Sequence, residues 1–188
     1  MEFINIDLEP IKFKLMSEKT GLGWSLEFCD KVEIQYKRWM TCIQRYQNKR
    51  FVPSHYIDTF WHYHILDTEK YAADCYACFG YFVHHYPYFG MQGDDDRKKA
   101  DIAWSETKKI FKLEFGYEID DLERSYGIKT SSDCVNYPKD CGPGACYGQE
   151  CNTPGECENK IGKLVTKDVI LINEMRPRPI RDSVLMLA

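Results

Sequence analysis

Hydrophobic side chains recur at helical spacing over residues 26–48, and this pattern predicts the first long helix of the chain. Ser25, directly before the pattern, is a typical N-cap residue. The repeating positions are Phe28, Val32, Tyr36, Trp39, Ile43 and Tyr46. Steps of three and four residues place all of them on one face of an α-helix. An amphipathic helix of this length needs another element to cover its apolar stripe.

The next segment, from Ile57 to about Phe79, is apolar and aromatic on all sides. Such a pattern predicts a central helix buried by its neighbours, with Ser54 as its cap and Gly80 as its natural end. Asp67-Thr68 has the composition of a second helix start after a bend. One continuous helix and two successive helices therefore both fit this segment.

Three further helices complete the predicted body. A short one is expected at residues 11–16 after Pro10, a long one at about 96–115, and a short one at 119–126. Asp94-Asp95-Asp96 is expected to cap the long helix and Gly116 to end it. The fold class predicted is all-α, a helical bundle over residues 1–127.

Residues 128–188 are predicted to be a separate, irregular extension. Cys, Gly, Pro and Asn dominate residues 131–159, a composition without the aliphatic residues of a core. Residues 163–172 have the pattern of a strand, and Arg176-Pro-Arg-Pro179 is basic and extended.

Five of the nine cysteines lie in this extension, at Cys134, Cys141, Cys146, Cys151 and Cys157. Their spacing lacks the paired CxxC knuckles of a zinc ribbon. Three interpretations stay open: a metal site made of four thiolates, with or without a histidine from the body, disulfides formed on oxidation, and unassigned thiols on a linker.

Composition narrows the classes of partner. The chain has 188 residues, which suits one ordinary domain, and 44% are hydrophobic. A net charge of −4 gives no field that would attract nucleic acid. No stretch approaches a transmembrane span, and residues 1–7 lack the basic and apolar regions of a signal peptide. We therefore expect a soluble cytoplasmic protein that binds neither nucleic acid nor membranes, and leave its oligomeric state open.

All five histidines fall between His55 and His85, among several carboxylates. Imidazole is the commonest protein ligand of transition metals and titrates near neutrality, so this segment indicates a metal or acid–base site. On a regular helix His55, Asp58 and His62 share one face. His64 points roughly 200° away from His62, so one ion does not easily take both.

His84 and His85 join this set only if the chain folds back. One continuous helix would hold them about 33 Å from His62, far outside any coordination sphere. A turn at Asp67-Thr68 is expected to bring His84 beside His55 rather than His62. A single site therefore depends on a bend that the sequence does not locate.

The ligands predicted for the ion are Asp58, His62 and one or both of His84 and His85. Such a set suits a transition metal, with iron favoured and zinc, manganese or copper as alternatives. The competing interpretation is an aromatic core in which these histidines are only hydrogen-bonded. The tyrosines and tryptophan nearby are expected in the core, with a pocket for a planar ligand such as haem as the alternative.

Cys75 and Cys78 form a CxxC pair inside a predicted helix rather than at the start of one beside a strand. Redox chemistry of the thioredoxin type needs the CxxC pair at the start of a helix that follows a strand. These two cysteines, with Cys29 and Cys42, are therefore predicted to be small buried core residues.

The histidine segment also resembles a known family. The residues that carry the resemblance are Val52-Pro-Ser54, Asp58-Thr-Phe-Trp61-His62-Tyr-His64-Ile-Leu-Asp67-Thr68, Tyr71, Asp74-Cys75, Phe79-Gly80 and His84-His85-Tyr-Pro-Tyr-Phe-Gly90. Over about residues 25–117 the chain resembles the glycine-rich domain-containing protein-like family of bacteria and plants. The resemblance implies a helical domain, and it points to His62 rather than His64 as the essential imidazole. The long glycine-rich region of the plant members is missing here.

These observations lead to two functional hypotheses. The first is a metal-dependent enzyme acting on a small molecule or peptide, an oxidoreductase of the non-haem iron type rather than a hydrolase. No nucleophile elbow, phosphate loop or dinucleotide fingerprint suggests another chemistry. The second is a non-catalytic binding module whose ion is structural. A closed shell of four protein ligands favours the module, and an open position at a pocket favours the enzyme.

Overall fold

The computed structural model describes residues 1–128, 130, 134–136 and 171–181, and this part of the chain is an all-α bundle as predicted. A 3₁₀ turn at Phe3–Asn5 precedes α1 (Glu9–Met16), α2 (Leu26–Arg45), α3 (His55–Leu66), α4 (Thr68–Phe79), α5 (Asp94–Phe115) and α6 (Asp121–Ser125). Two short strands, β1 (His85–Tyr86) and β2 (Val135–Asn136), pair antiparallel, with His85 opposite Asn136. Within the described residues, no helix is both long and apolar enough to cross a membrane.

Helix α2 is the centre of the bundle and packs against α1, α3 and α5. It begins where the sequence predicts, because the Ser25 hydroxyl accepts a hydrogen bond from the Phe28 N–H at 3.2 Å. It ends at Arg45, three residues before the predicted end at Asn48.

The central apolar segment is two helices rather than one. Asp67 separates α3 from α4, and its side chain accepts a hydrogen bond from the Lys70 N–H at the start of α4. Gly80 ends α4 in the left-handed conformation at φ 75°, which glycine adopts without steric cost. The bend lets the chain after Gly80 return toward α3.

Aromatic side chains fill the core between these helices. The rings of Trp39 and Trp61 lie 4.8 Å apart, and Phe60 packs on Tyr36 at 5.1 Å. The largest fully buried side chains include Trp39, Trp61, Tyr36, Tyr71, Phe3, Phe51, Phe60 and Phe111. Burying a side chain of this size contributes roughly 1.5–3 kcal/mol.

Two predicted caps differ from the structure. Gly93, not an aspartate, precedes α5, and the Asp96 carboxylate instead accepts hydrogen bonds from the Gly90 and Gln92 N–H groups, which closes the preceding loop. At α3, Ser54 occupies the N-cap position without a side-chain cap, and buried Glu123 of α6 accepts from the Tyr56 N–H at 3.0 Å. The Glu123 carboxylate of α6 therefore caps α3 in place of the Ser54 hydroxyl.

The predicted extension is described only in part. The strand predicted at residues 163–172 lies outside the described residues except for its last two, which are helical within residues 171–174. In this helical turn Ile172 is buried against Ala73 of α4, a contact that favours the helix over the predicted strand. Cys141, Cys146, Cys151 and Cys157 lie outside the described residues, and the division at residue 127 stays a prediction.

Candidate metal centre

Three side chains predicted as ligands meet at one point. The His62 and His85 Nε2 atoms lie 2.8 Å apart, and the Asp58 Oδ1 atom lies 3.3 Å from His85 Nε2 and 3.6 Å from His62 Nε2. Ligand atoms that are each about 2.1 Å from a shared ion lie roughly 3 to 3.5 Å from one another. The distances between these three donor atoms are therefore close to those between three ligands of one metal ion.

Cys134 adds a fourth donor to this group. Its sulfur, the two imidazole nitrogens and the carboxylate oxygen all lie within 4.8 Å of one another. The donor set is thus two nitrogens, one oxygen and one sulfur. Thiolate, imidazole and carboxylate are the three ligand types that zinc takes in proteins, and iron also accepts them.

Three different elements supply these four residues. Asp58 and His62 lie one helical turn apart on α3, so their side chains project from the same face. His85 begins β1, and Cys134 directly precedes β2, the strand that pairs with β1. The hydrogen bonds of the two strands therefore bring Cys134 to the same place as His85.

A buried chain of hydrogen bonds holds β1 against α3. The Trp61 indole N–H donates to the Tyr71 hydroxyl at 2.8 Å, and that hydroxyl donates to the Val83 carbonyl at 2.6 Å. The Trp61 ring also lies 4.6 Å from the ring of His85. Because these groups are fully buried, they fix the position of His85 relative to His62.

The four donors differ in their access to solvent. The His62 side chain is 47% exposed, whereas those of Asp58 and His85 are 12% and 13% exposed, and Cys134 is buried. Partial burial lowers the pKa of His62 and neighbouring His85 lowers it further, although Asp58 opposes both. A lowered pKa leaves His62 neutral at neutral pH, the state in which imidazole binds metal.

His84 and His55, although close in sequence, lie outside the cluster. His84 is exposed, with its ring 5.0 Å from that of Phe82, because successive side chains of an extended chain point to opposite sides. His55 is exposed at the start of α3. The turn at Asp67 therefore brings His85 beside His62, rather than His84 beside His55. The chain returns to α3 within residues 81–85, of which His85 begins β1.

His64 lies on the opposite side of α3 and belongs to the core. Its Nδ1 accepts a hydrogen bond from the Tyr36 hydroxyl at 2.9 Å, and its Nε2–H donates to Asp74 at 2.9 Å. The same Asp74 oxygen accepts from the Lys70 ammonium at 2.8 Å. Complete burial lowers the pKa of His64 more than Asp74 raises it, which keeps the ring neutral. Because their side chains point roughly 200° apart around α3, His62 belongs to the metal-ligand cluster and His64 to the core.

A second group of acidic side chains has metal-like spacing but holds cations of the protein itself. Glu9, Asp30 and Glu33 surround the buried ammonium of Lys12 at 2.8, 2.6 and 2.5 Å. Arg181 donates to two of the three carboxylates. These charges already balance much of the negative charge that would attract a divalent ion.

The four cysteines outside the extension are core residues, as predicted. Cys29, Cys42 and Cys75 are buried and Cys78 is half-buried. Burial raises the pKa of the Cys75 and Cys78 thiols to about 12, which leaves almost no reactive thiolate at neutral pH.

One apolar cavity beside α3 is separate from the metal-ligand cluster. It has a volume of about 480 Å³ and lies between α1 and the α3–α4 bend, with Phe13, Tyr63, Leu66 and Pro177 in its walls. The aromatic residues near the histidines mostly fill the core rather than this cavity. The haem alternative stays a prediction.

Sequence reasoning did not include Cys134 among the predicted ligands of the histidine site. Its interval of 49 residues from His85 gives no periodic signal, and β2 is only two residues long. One of the three interpretations left open for the extension did combine its thiolates with a histidine from the body. That interpretation was the only signal in the sequence for Cys134 as a ligand.

Comparison with protein-family models matches residues 9–110 to the family described as UCP032817-like. The match spans more than half of the chain and includes α1 to α4 and most of α5. No curated protein and no solved structure matches the chain. Cys134 lies outside the matched residues, whereas Asp58, His62 and His85 lie within them.

Proposed function

We propose that this chain, which belongs to the UCP032817-like family, is a metal-binding protein that holds one transition-metal ion with Asp58, His62, His85 and Cys134. The observation that carries the proposal is the convergence of donor atoms. The same Nε2 atom of each histidine faces both the other histidine and the Asp58 carboxylate. One positive charge at their centre would satisfy all of these atoms together.

The same residue types also occur in cysteine hydrolases, but the geometry here differs from theirs. In a Cys–His–Asp triad, the carboxylate binds one ring nitrogen and the thiol faces the other nitrogen of the same ring. Here Asp58 lies near the Nε2 atoms of both histidines. This arrangement supports metal binding over nucleophilic catalysis.

Zinc is the ion we propose first. Two imidazoles, a carboxylate and a thiolate give four donors, the number that zinc takes in tetrahedral sites. Iron(II), which the histidine pattern favours, accepts the same ligands and is the alternative. The two ions differ in chemistry, since zinc does not change oxidation state and iron does.

Four protein donors support a structural or binding role before a catalytic one. A structural zinc site has a complete protein shell, whereas a catalytic site keeps one position for water or substrate. The ion would join α3, β1 and β2, and two-residue strands have little stability of their own. Asn136 and Val135 already contact the helical body, through a hydrogen bond from the Phe51 N–H at 2.6 Å and through packing with Val52. The proposed ion would add a link at Cys134.

A metal-dependent oxidoreductase is the second candidate, and one observation favours it. Of the four donors, His62 alone is exposed by nearly half, so it is the ligand that substrate or oxygen would most easily displace. In this candidate Asp58, His85 and Cys134 remain bound while the fourth position opens.

The test of the proposal is metal content together with ligand substitution. Protein purified without oxygen is measured by elemental analysis as wild type and as His62→Ala, His85→Ala and Cys134→Ser. One equivalent of metal in wild type, lost or much weakened in each variant, is the expected result. His84→Ala is the matched control, because His84 adjoins His85 but lies outside the cluster, and it should keep the full equivalent.

Cobalt(II) substitution distinguishes the two candidates, and a failure to bind metal rejects both. Cobalt(II) substituted into the site shows four-coordinate absorption with thiolate charge transfer if the shell is closed, and added azide leaves that spectrum unchanged. A spectrum that changes with azide favours the open, catalytic site. Folded wild-type protein that binds no zinc, iron or cobalt overturns the proposal.

A further inference from the structure

The last described segment of the chain lies on an acidic surface of its own helical body. We call residues 176–181 the arginine strap. The acidic surface consists of Asp7, Glu9, Asp30 and Asp67. Arg181 donates to both oxygens of Asp30, at 2.9 and 3.0 Å, and to Glu9 at 2.8 Å. Paired contacts of this kind match the planar guanidinium to the carboxylate and are the strongest form of ion pair.

The other two arginines repeat the arrangement. Arg178 donates to both oxygens of Asp7, one of them at 3.1 Å. Arg176 donates to both oxygens of Asp67, one of them at 2.5 Å, and also reaches Glu69 at 3.3 Å. Three bidentate Arg–Asp pairs thus lie within six residues of the strap. Each arginine has its own aspartate, which is more specific than a general attraction between opposite charges.

The strap offers side chains rather than backbone for recognition. Pro177 and Pro179 alternate with the arginines, lack a backbone N–H and favour an extended chain. The Arg176 and Arg178 side chains also donate to the Ile172 and Asn173 carbonyls of the preceding turn, at 2.5 and 3.4 Å. The acidic surface therefore recognises a linear pattern of arginines.

These contacts are also weak enough to exchange. The Arg178 and Arg181 side chains are each 42% exposed, so water can compete for their carboxylate contacts. Salt screens them further. Residues 171–174, which precede the strap, are held by a buried contact, since Asn173 accepts from the Lys70 ammonium at 2.7 Å.

The chain between the two described segments is long enough to reach another molecule. Residues 137–170 connect β2 to the segment that begins at residue 171. A chain of this length spans at most about 110 Å when fully extended. Within one molecule, a tethered segment has an effective concentration on the order of millimolar, which favours docking on its own body in dilute solution.

We infer that the acidic surface is an interaction surface for a second copy of this chain, which would insert its own arginine strap in place of the resident one. The partner follows from the structure, because the only ligand whose fit to this surface is visible in the described residues is the strap itself. Exchange would place the strap of each copy on the body of the other.

The experiment separates the surface from the strap in two full-length variants. An acceptor carries Arg176→Glu, Arg178→Glu and Arg181→Glu, so it keeps the acidic surface but repels its own strap. A donor carries Asp7→Asn, Asp30→Asn and Asp67→Asn, which keep an oxygen for the neighbouring hydrogen bonds but remove the charge. Each variant alone and their equimolar mixture are measured by analytical ultracentrifugation at tens of micromolar in low salt.

The expected result is a heterodimer in the mixture that dissociates in 0.5 M NaCl and on addition of a synthetic peptide of residues 171–181. The matched control replaces the strap changes with Lys98→Glu, Lys99→Glu and Lys109→Glu on exposed positions of α5, and its mixture with the donor should stay monomeric. Circular dichroism verifies that each variant is folded. A monomeric mixture of folded donor and acceptor overturns the inference.

Discussion

His62 and His64 are separated by one residue but belong to different parts of the molecule. His62 faces the metal-ligand cluster and is 47% exposed, whereas His64 is fully buried between Tyr36 and Asp74. Helical geometry alone accounts for the division, because a step of two residues turns the side chain to the far side of the helix. Substitutions at the two positions should therefore affect different properties.

Replacement of His64 by phenylalanine should lower the free energy of unfolding by about 2–4 kcal/mol. The change removes both hydrogen bonds of the ring and leaves the Tyr36 hydroxyl buried without its partner. Urea denaturation of metal-free protein measures the loss. His62→Phe is the matched control and should change the stability of metal-free protein by less than about 1 kcal/mol. Equal losses at the two positions would contradict this assignment.

Tyr71 should act on the metal site without touching it. In Tyr71→Phe the Trp61 N–H and the Val83 carbonyl lose their buried partner, so β1 is held less firmly and the metal affinity should fall about 10-fold. Competition with a zinc-sensitive dye measures the affinity. Tyr76→Phe, on the same helix and half-buried, should leave it unchanged. A wild-type affinity in Tyr71→Phe would show that packing alone positions His85.

The elements of this fold differ in how far the sequence predicts them. Helix α2 was predicted closely, because Ser25, a regular apolar stripe and a polar face all agree. The bend at Asp67 was one of two alternatives, since Asp-Thr is compatible with both a helix interior and a helix start. Whether His84 or His85 faces α3 depends on the alternation of a strand only two residues long, for which no sequence pattern exists.

The arginine strap should leave its surface in acid. The Arg181 hydrogen bond and then Lys12 lower the pKa of Asp30 below its ordinary value of 3.8, against the effect of burial. Since the folded pKa is the lower one, the stabilising contribution is complete above about pH 4 and is lost as the pH falls through the lowered value. The Met175 and Arg176 N–H groups, which donate to the Leu171 and Asn173 carbonyls, should therefore lose protection from hydrogen exchange below pH 4, after correction for the intrinsic rate at each pH and before α2 is affected.

A variant provides the control for this acid effect. In Arg181→Gln the protection of these two N–H groups should already be reduced at neutral pH and should change little on acidification, because the ion pair that depends on ionised Asp30 is gone. Acid exchange that is identical in the variant and in wild type would show that other carboxylates control the strap.

For the whole molecule, the proposed ion joins parts of the chain that are distant in sequence. Asp58 and Cys134 lie 76 residues apart in the sequence, and the two short strands join the residues next to Cys134 to β1. Sequence reasoning divided the chain near residue 127 and so assigned Cys134 to a separate unit. Long-range contacts of this kind leave no periodic pattern, which is why the sequence alone did not reveal the fourth donor.

Metal removal should therefore loosen the extension before the bundle. With zinc at 100 times its dissociation constant, binding should add about 2.7 kcal/mol to the stability of the wild type. A chelator should lower the Tm accordingly and speed proteolysis after residue 128, while Cys134→Ser should gain little from zinc. Scanning calorimetry and limited proteolysis measure the two effects. An unchanged Tm after complete metal removal would contradict the linkage.

The ammonium group of Lys70 is fully buried and shared between Asp74 and Asn173. One consequence is chemical: an amine-modifying reagent cannot acylate Lys70 while residues 171–174 cover it, whereas exposed lysines such as Lys98 react at once. Lys12, buried beneath Arg181, behaves in the same way at the other end of the segment. The reactivities of these two amines, read by mass spectrometry, report separately on the departure of each end of the C-terminal segment.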